Sequence, residues 1–180
     1  MVPAAVAFED TNRHQDGQEW VITLIEAIRM ELPLGRMEEW NGLFEISIGG
    51  TYKCTAGHLQ PKRTDVLSML QLGIIGRVTG QPLISIIQVL ENYFEEELLE
   101  KDCSAEGCEV VQAISSSRMT HHTKLLILQY KRFLGPGNKL KHPVSSTVNL
   151  DINGIQYKLV GLLLHLGEED VTGHYASVTR

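Results

Sequence analysis

The sequence predicts an α+β fold, in which helices and strands occupy separate parts of the chain. A helix is predicted for residues 16–30, where apolar residues recur at i, i+4, i+7 and i+8. A strand is predicted around 44–48, where apolar and polar residues alternate. A hairpin is predicted at the C-terminal end, where the hydrophobic run 157–166 is broken at Gly167 and a second short strand, 175–178, follows.

The composition predicts one domain with a hydrophobic core, or two small lobes. The chain has 180 residues, and 43% of them are hydrophobic. Its formal charge of −6 argues against nucleic acid or an anionic membrane as the main partner and permits a basic peptide or protein partner.

Cysteine content and the N-terminal residues indicate a reducing compartment. Three cysteines, an odd number, give no disulfide framework. Residues 1–8 lack the basic and apolar regions of a signal peptide, and no stretch approaches the ~20 apolar residues of a membrane span. The expected location is the cytoplasm or the nucleus.

Further elements are predicted between the two ends of the chain. A turn is expected at Gly49-Gly50, and the apolar run 65–72 predicts another strand. Apolar residues at helical spacing predict a helix over 82–90, and a nearly continuous apolar run predicts a buried strand over 124–133. Gly135 to Asn138 form a predicted turn.

The C-terminal hairpin holds one histidine between a glycine and an aromatic residue. His165 and Gly167 are followed by an acidic loop and then by Gly173, His174 and Tyr175. By itself, this pattern would suit a half-buried strand histidine. The order H-x-G, acidic loop, G-H-Y resembles the His box of the ubiquitin-specific proteases, which are thiol hydrolases of the papain-like class. The resemblance implies that His174 is the general base that activates a cysteine, and that His165, Gly173 and Tyr175 contact the substrate.

The start of the predicted helix resembles a second box of the same family. Residues 14–20, HQDGQEW, match the family's Q-Q-D-A-Q-E-F at Gln15, Asp16, Gln18 and Glu19. Without the resemblance, Asp16 and Glu19 are acids in a first helical turn, which the helix dipole favours. The resemblance implies that Gln15, Asp16 and Glu19 bind the substrate, with Asp16 along the channel for the basic tail of ubiquitin. Gly17 departs from the family's alanine and weakens the turn by up to about 1 kcal/mol.

Four residues are candidate metal ligands, namely Cys54, His58, Cys103 and Cys108. Their positions resemble those of the family's zinc knuckle, whose two halves have the patterns C-x-x-C-G and C-x2-C. Here Gly57 stands where the second cysteine belongs, and the second pair is spaced C-x4-C. A structural zinc site needs four ligands. Because the spacing is unfavourable in both halves, we expect a knuckle that has lost its metal, and we predict no metal and no other cofactor.

The family's nucleophile is not found in the sequence. It lies in a box resembling G-L-x-N-x-G-N-T-C-Y, where a helix N-terminus and a facing imidazole lower the pKa of the thiol. The three cysteines here occupy knuckle positions instead. The third member of the triad is expected after Arg180, and Asp170 is a poor substitute for it. Of base, nucleophile and orienting acid, only the base, His174, can be assigned.

The resemblance therefore implies a partial ubiquitin-specific-protease-like domain with a papain-like fold and a truncated thumb. Its expected parts are a thumb helix remnant (1–35), a fingers-like region (44–118) and a palm (124–180). The expected partner is ubiquitin or a ubiquitinated protein. Two functions stay open: part of a genuine deubiquitinating thiol protease, or a non-catalytic ubiquitin-binding or scaffolding relative. The neighbouring coding sequence would separate them, and the 180-residue chain alone is expected to be inactive.

Overall fold

The computed structural model describes residues 17–135, 138–167 and 173–180. Two helices precede the first strand: α1, Gly17–Glu31, and α2, Met37–Phe44, with a 3-10 turn at Leu34–Arg36 between them. The third helix, α3, is Ile86–Phe94. Among these residues no helix is both long and apolar enough to cross a membrane.

Eleven strands lie in the described part of the chain. They are β1 Ile46–Cys54, β2 Leu59–Pro61, β3 Asp65–Leu67, β4 Leu70–Gly73, β5 Glu97–Glu100, β6 Gln112–His121, β7 Leu128–Lys131, β8 Asn149–Ile152, β9 Ile155–Lys158, β10 Gly161–Leu166 and β11 His174–Thr179. One sheet has five strands in the order β2-β1-β6-β5, with β3 also paired to β1. The pairs β4–β7, β8–β9 and β10–β11 form separate two-stranded sheets.

The core lies between the start of β1, strand β4 and helix α3. Its largest fully buried side chains are Ile46, Leu70, Leu72, Ile74 and Val89. Ser85 is the N-cap of α3. Its hydroxyl accepts a hydrogen bond from the backbone N–H of Gln88 and so satisfies one of the free donors of the first turn.

The N-terminal helix confirms the prediction for 16–30 within one residue, but its predicted apolar face is not covered. Trp20 is 47% exposed, and Leu24 and Ile28 are each 41% exposed, whereas the neighbouring Ile25 is buried. The hydrophobic pattern therefore predicted the helix correctly, and the exposure of its apolar face is what a truncated thumb would leave.

Strand β1 differs from the predicted strand and turn. Phe44 ends helix α2, in which its ring lies 4.6 Å from that of Trp40, one helical turn earlier. Gly49 and Gly50 are not a turn but lie inside β1, opposite Arg118 and Ser117 of β6. A Cβ at Gly50 would collide with the backbone of the neighbouring strand, so the glycine permits the close approach of the two strands.

Several other predicted boundaries are also corrected. The run 65–72, predicted as one strand, forms two strands, β3 and β4. The helix predicted for 82–90 is α3, which begins and ends about four residues later. The strand predicted for 124–133 shortens to β7, which is only partly buried. The predicted turn at 135–138 includes residues outside the described range.

The run 157–166 is also divided between two strands. Its first residues belong to β9, which is joined to β8 by a two-residue turn at Asn153 and Gly154. Both turn residues have positive φ, 54° and 82°, which is the conformation that an Asn-Gly hairpin turn requires. The remaining residues form β10, which pairs with β11 as the predicted C-terminal hairpin. Although the run is mostly apolar, Leu162, Leu163, Leu164 and Leu166 are all exposed.

Candidate functional site

His174 is the first residue of β11 and pairs with Leu166, the last residue of β10. Its imidazole is exposed, so a group approaching from solvent can reach it. His165 and Tyr175 form the adjacent pair, and their rings are 5.0 Å apart. The hairpin register therefore groups three residues predicted from the sequence, His165, His174 and Tyr175, at one end of a two-stranded sheet.

The residue before His174 has to be glycine. Gly173 has φ +151°, which side-chain-bearing residues rarely adopt. A Cβ on it would lie 2.5 Å from the carbonyl oxygen of Leu166 and 2.6 Å from Nε2 of His165. The Gly-His pair of the sequence motif is thus explained by steric contact across the hairpin.

Lys139 holds the end of β10 from outside the hairpin. Its Nζ lies 3.0 Å from Nδ1 of His165 and donates to the carbonyl oxygens of His165, at 3.2 Å, and Gly167, at 2.5 Å. An ammonium group only donates, so Nδ1 of His165 accepts and the proton of a neutral His165 is on Nε2. The ring of Phe133 packs against both groups, 5.7 Å from the His165 ring and 5.6 Å from the ammonium.

Neither Lys139 nor Phe133 was predicted to act on this histidine. Lys139 is 26 residues away from His165 in the chain, so no local pattern reveals the contact. Lys139 and Phe133 were missed because their contacts with His165 are formed only in the tertiary structure.

The N-terminal helix meets the C-terminal hairpin at Gly17. A Cβ at this position would lie 2.7 Å from the Tyr175 ring and 3.0 Å from Leu163, so only glycine lets the helix approach so closely. The departure from the family's alanine, which costs helix propensity, therefore has a packing reason. Of the box residues, Glu19 is exposed in the first turn of α1, whereas Gln15 and Asp16 lie outside the described residues.

The four candidate metal ligands converge. The ligand atoms of Cys54, His58, Cys103 and Cys108 all lie within 4.8 Å of one another. We expected no metal because the spacing of these residues along the chain is unfavourable. In the fold, the four side chains nevertheless lie close together. The three thiols are free of disulfide bonds.

The local backbone affects the two thiols of the second pair in different ways. The backbone N–H of Ala105 lowers the pKa of the Cys103 thiol, because a donor stabilises the thiolate. At Cys108 the backbone N–H of Val110 acts in the same direction, but burial and the neighbouring Cys103 outweigh it and raise the pKa.

The structure places the cysteine thiols and His174 in different sheets. A general base acts on a group within hydrogen-bond reach, about 2.6–3.2 Å. All three cysteines of the sequence instead lie around His58, beside the five-stranded sheet, whereas His174 is in the separate β10–β11 sheet.

Solved structures show which class of fold this is. The SAGA DUB module of Ubp8, Sgf11, Sus1 and Sgf73 bound to ubiquitin aldehyde contains a chain that matches with a TM-score of 0.76 at 19% identity, over 97% of this chain and 44% of that chain. The same module bound to monoubiquitin gives a TM-score of 0.74 at 21% identity, over 93% of this chain and 41% of that one. The chain therefore has the α+β, papain-like fold of the ubiquitin-specific proteases.

Sequence similarity to named proteins is consistent with this fold. A protein named ubiquitin carboxyl-terminal hydrolase 36 from Drosophila ananassae is 31% identical over 108 residues, which is 52% of this chain and 10% of the relative. A protein of the same name from Drosophila mojavensis is 29% identical over 105 residues, 51% of this chain and 9% of the relative. No protein-family model matches the sequence. The chain is similar to these ubiquitin carboxyl-terminal hydrolases over about half of its own length and spans about a tenth of theirs.

Proposed function

We propose that this chain is a ubiquitin-binding segment of a ubiquitin carboxyl-terminal hydrolase-like domain, in which His174 occupies the position of the general base. In the reaction of the family, a thiolate attacks the bond after the last glycine of ubiquitin. The histidine accepts the thiol proton and returns it to the leaving amine, and water then hydrolyses the acyl-enzyme. In this chain, the exposed imidazole of His174 is the group that would carry the proton.

The contact between Gly17 and Tyr175 carries the proposal. It places the start of α1 against the strand that begins with His174, so the two segments that resemble family boxes are neighbours in space. A channel between them would receive the C-terminal tail of ubiquitin. Asp16 and the exposed Glu19 would contribute negative charge toward the basic residues of that tail.

The chain by itself is proposed to bind without hydrolysing. Its thiols surround His58, and an imidazole without a thiol in reach cannot start acyl transfer. We assign residues 1–35 to the thumb, 44–118 to the fingers and 124–180 to the palm. The five-stranded sheet, which consists of β1, β2, β3, β5 and β6, supports the fingers assignment.

The experiment measures ubiquitin binding and activity with the same purified chain. We expect no cleavage of a fluorogenic ubiquitin C-terminal amide, no labelling by a ubiquitin-based thiol probe, and weak binding of ubiquitin by NMR titration. Asp16→Asn and Glu19→Gln should each weaken binding several-fold, since each removes a charge that the family resemblance assigns to binding the tail. Glu31→Gln is the matched control, because it removes an exposed acid at the other end of α1.

Two results would overturn the proposal. Labelling of Cys54, Cys103 or Cys108 by the probe would show that a thiol of this chain is the nucleophile. Equal weakening by Glu19→Gln and Glu31→Gln would show that ubiquitin does not use the start of α1.

The non-catalytic alternative is supported by the solved neighbours, which are DUB modules assembled from several proteins. A scaffolding role predicts that an assembly partner binds with equal affinity to the parent chain and to His174→Gln. A catalytic role predicts that, in a complex with ubiquitin-hydrolase activity, His174→Gln abolishes turnover and leaves ubiquitin binding unchanged.

A further inference from the structure

We propose that Lys62, Lys101, Ser115 and Ser117 form a binding site for a phosphate monoester, carried by a phosphorylated side chain of a partner protein. The site lies on one face of the five-stranded sheet. It uses neither helix α1 nor strand β11, so it goes beyond the proposed function. Its test does not depend on whether the chain binds ubiquitin.

The register of the sheet places these side chains together. Tyr52 of β1 lies opposite Ser115 of β6, and Gly50 lies opposite Ser117. Lys62 directly follows β2, and its backbone N–H donates to the carbonyl of Gly50 at 3.0 Å. Because residues two apart in a strand point to the same face, both serines lie on the face that carries Tyr52.

Two ammonium groups lie beside the ring of Tyr52. Nζ of Lys62 is 5.2 Å from the ring centroid, and Nζ of Lys101 is 4.6 Å from it. Each cation is attracted by the ring, but two like charges beside one ring also repel each other. The ion pairs between described residues all use arginine, so neither lysine is paired with a carboxylate. Two positive charges are therefore concentrated here, in a chain whose formal net charge is −6.

The two serine hydroxyls are oriented as donors. Nζ of Lys62 donates to Oγ of Ser115 at 2.8 Å and to Oγ of Ser117 at 2.6 Å. Because both oxygens accept from the ammonium, each hydroxyl hydrogen is directed elsewhere. Ser115 is only 7% exposed, and its hydroxyl donates to no acceptor among the described residues. A buried donor without an acceptor costs about 1–3 kcal/mol, so this hydroxyl favours a ligand that accepts hydrogen bonds.

One acid lies close in the sheet without neutralising the site. Glu97 of β5 is opposite Ser115 of β6. Its carboxylate, however, lies 3.4 Å from the guanidinium of Arg77. The charge of Glu97 is therefore compensated by Arg77 rather than by either lysine of the site.

The donors and their charge favour a phosphate monoester. Such a group carries about −1.5 to −2 charges at pH 7 and three strong acceptor oxygens. Two ammonium groups and two hydroxyls match that charge and supply donors for those oxygens, whereas a carboxylate would leave one positive charge unbalanced. One pair of lysines is too short to follow a nucleic-acid backbone, and the net charge of −6 opposes nucleic acid and anionic membranes. A phosphorylated residue of a protein fits these limits.

The first measurement is an NMR titration of the whole chain at constant ionic strength. Inorganic phosphate should shift the backbone amides of residues 50–53, 62 and 115–117 with saturation in the millimolar range, and chloride should not. A glycine-flanked phosphoserine peptide should shift the same amides, and the same peptide with aspartate in place of phosphoserine should bind more weakly. Absence of saturable shifts with phosphate and with the phosphopeptide would overturn the proposal. Binding of free phosphate but not of the phosphopeptide would refute the assignment to a phosphorylated protein.

Single variants identify the groups that bind. Lys62→Met and Lys101→Met keep an apolar stem and remove one charge, so each should weaken phosphate binding by about fivefold or more. Lys101→Met leaves the bonds from Lys62 to the serines intact, so its effect does not depend on loss of those bonds. The matched control is Lys53→Met, because exposed Lys53 is next to Tyr52 in β1 but points to the opposite face. Equal weakening by the Lys53, Lys62 and Lys101 variants would show a response to net charge alone and would overturn the proposal.

Discussion

Replacing Gly173 by alanine tests whether the geometry before His174 is required. The added Cβ would meet the backbone carbonyl oxygen of Leu166 at 2.5 Å, and a carbonyl in a paired strand cannot move aside independently. It would also meet Nε2 of His165 at 2.6 Å, whose ring is held by Lys139. The hairpin must therefore distort at the end that presents His174.

The cost follows from two effects. A side chain at φ +151° stores strain on the order of 1–3 kcal/mol, and overpacking in a filled space costs typically about 1–3 kcal/mol. Because distortion relieves part of both, we expect about 2–4 kcal/mol in total. For a chain of this length, about 1 kcal/mol shifts the melting temperature by roughly 2–4 °C, so the expected decrease is roughly 5–15 °C.

Thermal unfolding followed by circular dichroism at low protein concentration measures the shift. Gly161→Ala is the matched control in the same hairpin, because a Cβ at Gly161 meets no atom closer than 3.5 Å. That variant should change the melting temperature by less than about 2 °C. Ubiquitin binding should be weakened by Gly173→Ala and not by Gly161→Ala. Equal melting temperatures for the two variants would refute the steric argument.

Two further predictions concern stability and association. Burial raises the pKa of Tyr157 above its ordinary value of 10.0, and its hydroxyl donates to the carbonyl of Thr123 at 2.9 Å. A raised pKa in the folded state stabilises the fold below pH 10 and loses this effect as the pH rises through the folded value. In urea titrations, Tyr157→Phe should be less stable than the parent by about 0.5–1.5 kcal/mol at neutral pH, and the difference should shrink above pH 10; a constant difference would contradict this assignment. The uncovered face of α1 predicts that the isolated chain self-associates, so light scattering should detect dimers or larger species that Trp20→Gln reduces and Leu34→Gln, at a residue 92% exposed outside that face, does not. A monomer at high concentration would contradict the prediction.

Local sequence patterns predicted the helices and strands that depend on nearby residues. The helix at 16–30 and the C-terminal hairpin were both predicted, because apolar spacing and glycine breaks act within a few residues. Helix α2 was missed, although Trp40 and Phe44 stand four residues apart and Glu38 and Glu39 occupy its first turn. The Asn153-Gly154 turn was missed as well, despite being a strong hairpin signal.

The sequence by itself determined the family resemblance, and it singled out His174 and the four candidate metal ligands. Only the tertiary structure decided which residues meet. It placed Lys139 on His165 and closed α1 against Tyr175 at Gly17. It also gathered three cysteines around His58, although the spacing of these residues along the chain had argued against a site. The physical reason is that local periodicity fixes helices and strands, whereas a contact between distant residues depends on strand order and on backbone approach distances. Gly17 shows both effects: in the sequence it weakens a helix, and in the fold it makes room for a neighbouring ring.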